Sequence, residues 1–192
     1  MDNKPRIVLA SASPRRRELL TLMGISDFLV RLPEADETIP NMQSPEKAVL
    51  RLSEIKAENI SKTMDKNNII IAADTVVVIN GEILGKPANS DDAFRMLSML
   101  SGKVHEVFTG ICVTNGERKL QALERTQVSF IKLSRDEINN YIKTGEPFDK
   151  AGAYGIQGIG AMFVKGINGD FYNVIGLPVC ALSRILKEFG ID

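Results

Sequence analysis

Between residues 69 and 79 the chain reads IIIAADTVVVI, an apolar and largely β-branched run broken only by Asp74 and Thr75. β-branched side chains favour extended backbone and pack well on a pleated surface, so the run predicts a long central strand. Asn80-Gly81 follows, the pair favoured in two-residue hairpin turns, and leads into a short strand over residues 82–84. A buried strand set among helical patterns is the centre of an α/β sheet. Asp74 also poses a chemical question. An ionised carboxylate in such a strand costs several kcal/mol unless a cation stands close, which implies a lysine or a metal ion. By residue type alone Asp74 is either a strand aspartate satisfied by backbone donors or an ion pair, or a catalytic carboxylate.

The remaining periodicities fit this architecture. Residues 7–10 read as a first strand, and Leu19, Leu20 and Met23 recur at helix spacing before Gly24 stops the helix. A second helix opens at Ser44-Pro45 and runs to about Lys62, with Ala48, Leu52, Ile55 and Asn59 on one face. Ser90 caps a third helix, with Asp91 and Asp92 in its first turn and Gly102 at its end. Strands are expected over residues 104–113 and about 120–133, joined near Asn115-Gly116. Ser134 and Glu137 form a capping box for a short helix ending at Gly145, and residues 152–160 are glycine-dense enough to be a loop or a bulged strand. Strands near residues 162–165 and 171–174 and a helix over residues 178–189 close the chain. Residues 1–192 are expected to form a single α/β domain, a size within the range of one core.

Lys plus Arg equals Asp plus Glu at 24 each, and this balance excludes the basic surface that bulk nucleic-acid binding needs. No apolar run approaches membrane-spanning length and no cleavable signal pattern opens the chain, so a cytoplasmic protein is expected. Cys112 and Cys180 are far apart in apolar surroundings and read as buried hydrophobes, not as a zinc pair.

The start of the first helix is chemically unusual. Ser13 and Pro14 are ordinary helix openers, but Arg15, Arg16 and Arg17 then add cations where the helix dipole is already positive. An anion resolves the conflict. Backbone N–H groups, the Ser11 and Ser13 hydroxyls and the guanidinium forks suit the oxygens of a triphosphate. The other reading is that the arginines point into water, with Glu18 offsetting part of the charge.

Other candidates are weaker singly. Asp36 and Glu37 lie in a polar loop, Lys56 sits at the border of the second helix's apolar face, and Lys86 stands beside Pro87 after the hairpin. Gln157 lies among glycines that allow close backbone approach, which suits reading a base edge and equally suits a plain turn. His105, the only histidine, has no partner for serine-hydrolase or metal–histidine chemistry and reads as structural. Residues 81–86 echo a P-loop faintly, but the glycine spacing is too short and Pro87 replaces the metal-binding hydroxyl.

Together these pieces resemble the Maf family of nucleoside triphosphate pyrophosphatases, once described as septum-formation inhibitors. The resemblance spans residues 7–178. It rests on Leu9-Ala10-Ser11-Ala12-Ser13-Pro14-Arg15-Arg16, Asp36-Glu37, Lys56, Ala73-Asp74-Thr75, Gly85-Lys86-Pro87, Leu100-Ser101-Gly102, Asp149-Lys150-Ala151-Gly152-Ala153-Tyr154-Gly155-Ile156-Gln157-Gly158 and Val174-Ile175-Gly176-Leu177-Pro178. It implies an elongated mixed β-sheet flanked by helices, with a cleft between two lobes, similar to inosine triphosphate pyrophosphatases. It further implies a magnesium or manganese ion, a nucleoside triphosphate substrate and a homodimer.

Within that resemblance Asp74 is the catalytic base and a metal ligand, Glu37 helps hold the ion, and Ser11, Ser13, Arg15, Arg16, Lys56 and Lys86 contact the phosphates. Arg15, Thr75 and Gln157 match the positions that mark the dTTP and UTP enzymes, as opposed to the sister group acting on 7-methyl-GTP. A rival from another class is a non-catalytic nucleotide sensor that regulates division.

Overall fold

The computed structural model describes residues 5–34, 44–64 and 66–191. Its strands are β1 (Arg6–Ala10), β2 (Phe28–Arg31), β3 (Asn68–Ile79), β4 (Glu82–Leu84), β5 (Val104–Thr114), β6 (Lys119–Phe130) and β7 (Val164–Asn168). They form one mixed sheet in the order β2-β1-β3-β5-β6-β7, with β4 paired to β3. β1 is parallel to both β2 and β3, whereas β4 and β7 pair antiparallel to β3 and β6. The helices are α1 (Pro14–Leu22), α2 (Pro45–Ser61), α3 (Ser90–Leu100), α4 (Arg135–Lys143), α5 (Phe171–Ile175) and α6 (Val179–Glu188). The α/β class and the mixed sheet are as expected.

The long strand and its hairpin form as the sequence predicts. Asn80 and Gly81 both take left-handed φ, at 52° and 79°, as a two-residue hairpin with the native strand twist requires. The capping box at Ser134 and Glu137 is complete.

Several elements differ from expectation. β2 was not anticipated. Asn89, not Ser90, caps α3, accepting from the Asp92 backbone N–H at 2.9 Å. β6 stops at Phe130, and residues 152–160 form short 3-10 turns and loop in place of a bulged strand. Residues 171–174 are helical, within α5, where a strand was expected. Asp170 starts that turn by accepting from the Tyr172 N–H at 2.7 Å. The turn delivers the fully buried Asn173 amide to the Val107 carbonyl at 3.0 Å and to Thr126 Oγ1 at 2.9 Å. Cys112 is buried as expected, but Cys180 on α6 is exposed, because its helix turns that position away from the Leu182, Ile185 and Leu186 face.

The chain divides into two compact units, one of residues 1–74, 109–124 and 176–192, the other of residues 75–108 and 125–175. In the first unit, Val8, Ala10, Ala57, Ile60, Ile70, Ala72 and Cys112 pack into one apolar cluster. The second unit is built around Val77, Leu97, Leu100, Phe130, Tyr141 and Tyr154, among others.

His105 lies within that second core. It is 1% exposed, with Nε2 2.8 Å from the Tyr154 hydroxyl and its ring edge-on to Phe130. Burial pushes its imidazole down from 6.5 to about 4. Between those values the unfolded chain binds a proton that the fold refuses. This contribution to stability is therefore complete above about pH 6.5 and is lost as pH falls toward 4. Acidification from pH 7 to 5 should cost about 2 kcal/mol through this group, or roughly 5 °C in Tm. His105→Gln, which keeps a hydrogen-bonding side chain but does not titrate, should shrink the Tm difference between the two pH values by that amount. An unchanged difference would show that His105 does not carry it.

Candidate active site

In the first unit the chain leaves β1 for β2 on one side and later returns as β3 on the other, so β1 and β3 flank a point where the strand order reverses. Ligands of open α/β sheets bind beyond the carboxyl ends of strands at such points. Leu9 lies opposite Ile71, and continuing that register sets Ser11 and Ala12 level with Ala73 and Asp74. The serine-arginine helix start and the strand aspartate thus come to the same end of the same strand pair.

Lys56 supplies the cation that Asp74 demands. Its Nζ donates to Asp74 Oδ1 at 2.5 Å, with the two side chains 9% and 12% exposed. The sequence placed Lys56 at the border of an apolar face. It lies instead inside the buried face of α2, among Val49, Leu52, Ser53, Ala57 and Ile60. Its aliphatic stem is buried on that face while the ammonium reaches the carboxylate. Gly110 on β5 lets α2 come this close, since a Cβ there would stand 2.5 Å from the Val49 carbonyl carbon and oxygen.

The helix start is also organised. Ser13 is the N-cap of α1 but makes no side-chain cap hydrogen bond, and no acidic residue stands in the first turn. Ser11 Oγ accepts from the Ser13 N–H and from Arg16 Nη1, each at 3.2 Å, which directs its own proton toward a further acceptor. Arg16 Nε donates to the Gly176 carbonyl at 2.8 Å, so the side chain folds back over its own helix start. Arg15 is likewise half-buried, whereas Arg17 points outward. For Arg16 this removes the reading of a solvated charge. Gly176, in left-handed backbone at φ 116°, is a contributor that residue types did not reveal.

In the second unit stand Thr75, directly after Asp74, and the exposed Lys86 and Gln157. The Gly152 N–H donates to the Gly85 carbonyl at 3.0 Å, tying the Gly85-Lys86-Pro87 turn to the glycine-rich segment. Gly152 at φ 68° and Ala153 at φ 59° are consecutive left-handed residues. Such backbone in a residue with a Cβ costs on the order of 1–3 kcal/mol and persists where its surroundings over-determine it. Ala153 is fully buried. A Cβ at Gly152 would meet the Val77 side chain at 2.9 Å, so this stretch lies directly on β3.

A family profile described as Maf-like protein matches residues 6–189. The chain belongs to the Maf-like family. A relative from Bacillus cereus strain ATCC 14579, named dTTP/UTP pyrophosphatase, is 46% identical over 187 residues, 97% of each chain. A relative of the same name from Bacillus anthracis strain CDC 684 is also 46% identical over 97% of both chains. Among solved structures, a HAM1 protein from Coxiella burnetii superposes with a TM-score of 0.52 at 15% identity, covering 96% of this chain and 99% of that one. That likeness concerns the fold alone.

For the Maf-like chain a metal can be tested against the donor set. Glu37, like Asp36, lies outside the described residues. Among the described residues no group of three or more His, Cys, Asp or Glu side chains gathers. Magnesium takes one or two carboxylates, several waters and substrate phosphates, in place of a protein cage. A single buried carboxylate beside a phosphate-suited helix start fits that mode. No helix among the described residues is long and apolar enough to cross a membrane.

Proposed function

We propose that this chain is a nucleoside triphosphate pyrophosphatase that hydrolyses dTTP and UTP to the monophosphate and pyrophosphate. One observation carries the reading: Lys56-paired Asp74 lies on β3 just past its pairing with β1, at the strand end from which the chain runs on into the Ser11 and Arg16 helix start. In this reading the triphosphate lies on that helix start. The Ser11 proton and the α1 N-terminus donate to its oxygens, with Ser13 alongside. Arg15, Arg16, Lys56 and Lys86 counter the charge that develops as the α–β phosphoanhydride breaks, and pre-positioned charge of this kind supplies much of the acceleration. Arg16 is already held for this by Ser11 and Gly176, so little reorganisation accompanies the reaction.

Asp74 orients and deprotonates the attacking water. Asp74 and Glu37 would hold a magnesium or manganese ion, which neutralises phosphate charge and polarises the phosphoryl oxygens. Arg15, Thr75 and Gln157 select the pyrimidine base, Gln157 through an amide that both donates and accepts. The family reading extends to a cytoplasmic homodimer, which light scattering coupled to size-exclusion chromatography tests.

The function is tested by pyrophosphate release from dTTP, UTP, CTP, the purine triphosphates and 7-methyl-GTP, with and without magnesium. Release should be fastest from dTTP and UTP and should need the metal. A preference for 7-methyl-GTP would overturn the choice of base. No release from any member, with binding retained, would favour a nucleotide sensor.

A further inference from the structure

Residues 155–160 carry Gln157 at an exposed tip, and three of the six residues are glycine. Glycine backbone is the least restrained of any, so such a loop holds a side chain in one place only if something else fixes it. The structure supplies that anchor from outside the loop. Glu146 follows α4, and its Oε2 accepts from the Ile159 N–H at 2.8 Å while Oε1 accepts from the Gly160 N–H at 3.2 Å. Oε1 also accepts from the Tyr141 hydroxyl at 2.9 Å, and that hydroxyl accepts in turn from the Gly155 N–H at 3.2 Å. One carboxylate and one phenol therefore hold three backbone N–H groups at both ends of the loop, two residues before Gln157 and two and three residues after it.

The glycines are shaped around this anchor. A Cβ at Gly158 would fall on the Glu146 carboxylate, and one at Gly160 would stand 2.8 Å from the Tyr141 hydroxyl. At Gly155 it would stand 2.5 Å from Lys150 Cε, whose ammonium donates to the Glu146 carbonyl at 2.7 Å. Tyr141 is itself fixed, buried and edge-on to Phe163 at 4.9 Å. Hydrogen bonds to an ionised acceptor are roughly twice as strong as neutral ones, which suits a carboxylate to the task of pinning mobile backbone. Burial raises the Glu146 pKa, but the Ile159 and Gly160 N–H groups and Tyr141 outweigh it, leaving the carboxyl below its ordinary value and ionised near neutrality.

We propose that Glu146 is a positioning residue for nucleobase selection: with Tyr141 it clamps residues 155–160 so that Gln157 is presented to the base in one geometry. The proposal rests on the reading of Gln157 as a base-selecting residue. Glu146 itself touches no substrate.

The test compares wild type, Glu146→Gln, Tyr141→Phe and Gln157→Ala in the intact protein. Two quantities are read, the ratio of kcat/KM for dTTP over CTP and the inhibition constant of inorganic tripolyphosphate, which lacks a base. Glu146→Gln sets an amide NH2 against a backbone N–H and should lower the ratio about 10-fold, the value of one misplaced hydrogen bond. Tripolyphosphate inhibition should stay within about two-fold, since phosphate contacts lie elsewhere, whereas general loss of structure would weaken both. Tyr141→Phe should shift the ratio in the same direction by less, and it carries the test if Glu146→Gln does not fold. Adding Glu146→Gln to Gln157→Ala should change nothing further, because both act through one side chain. If Gln157→Ala collapses the ratio while Glu146→Gln and Tyr141→Phe preserve it, the positioning role is overturned. If Gln157→Ala itself preserves the ratio, the base-selecting reading of Gln157 fails and the proposal falls with it.

Discussion

Asp74→Asn should yield a folded protein that still binds dTTP but turns it over about 10³-fold more slowly, within the range that a positioned general base contributes. The substitution is nearly isosteric and leaves a side-chain oxygen to accept from Lys56, whose ammonium now donates to Oδ1 at 2.5 Å. Core packing and the phosphate contacts of Ser11 and Arg16 should survive, because neither depends on the carboxylate charge. Loss should therefore fall on kcat, with the dTTP dissociation constant by calorimetry changed only a few-fold. Turnover close to that of the wild type would remove Asp74 from the role of base.

Lys56→Met should have the largest effect on stability. Methionine preserves an apolar stem on the buried face of α2, but it strips the cation from a carboxylate that is 12% exposed. Removing one partner of a buried pair typically costs about 3–5 kcal/mol, since the remaining charge stays desolvated without compensation. For a chain of this size the melting temperature should fall by roughly 10 °C. The double variant Lys56→Met with Asp74→Asn should recover much of that loss, because it removes the stranded charge as well. A single variant that melts within a degree or two of the wild type would show that the ion pair is not what satisfies Asp74.

The strand and the family motifs were legible because they are local. β3 and its hairpin follow from β-branched residues and Asn80-Gly81, and α2 and α4 from caps and periodicity. The four residues of β2 are too few to show a period. Residues 171–174 carry two aromatics and a valine, which favour a strand, and tertiary demand for the Asn173 amide overrode that preference. Asp170 was a readable cap signal for that helix.

At the site, the sequence identified Asp74 and the need for a cation. It did not identify Lys56 as that cation, because an amphipathic pattern cannot tell a lysine at the edge of a face from one aimed through it. Ser11 and Arg16 stood out as residue types, and the structure brings the two side chains together. Their organisation depends on the Gly176 carbonyl, 160 residues away in sequence, which no residue type announces. Glu146 escaped notice for a similar reason, since two of its three partners are backbone N–H groups and so leave no trace in composition.

In the proposed reaction, water activated by Asp74 cleaves between the α and β phosphates, and product analysis tests this most directly. Phosphorus NMR of dTTP incubated with the protein and magnesium should show dTMP and pyrophosphate growing in equal amounts, with no dTDP intermediate. Appearance of dTDP with orthophosphate would place the cleavage at the β–γ bond and contradict the account.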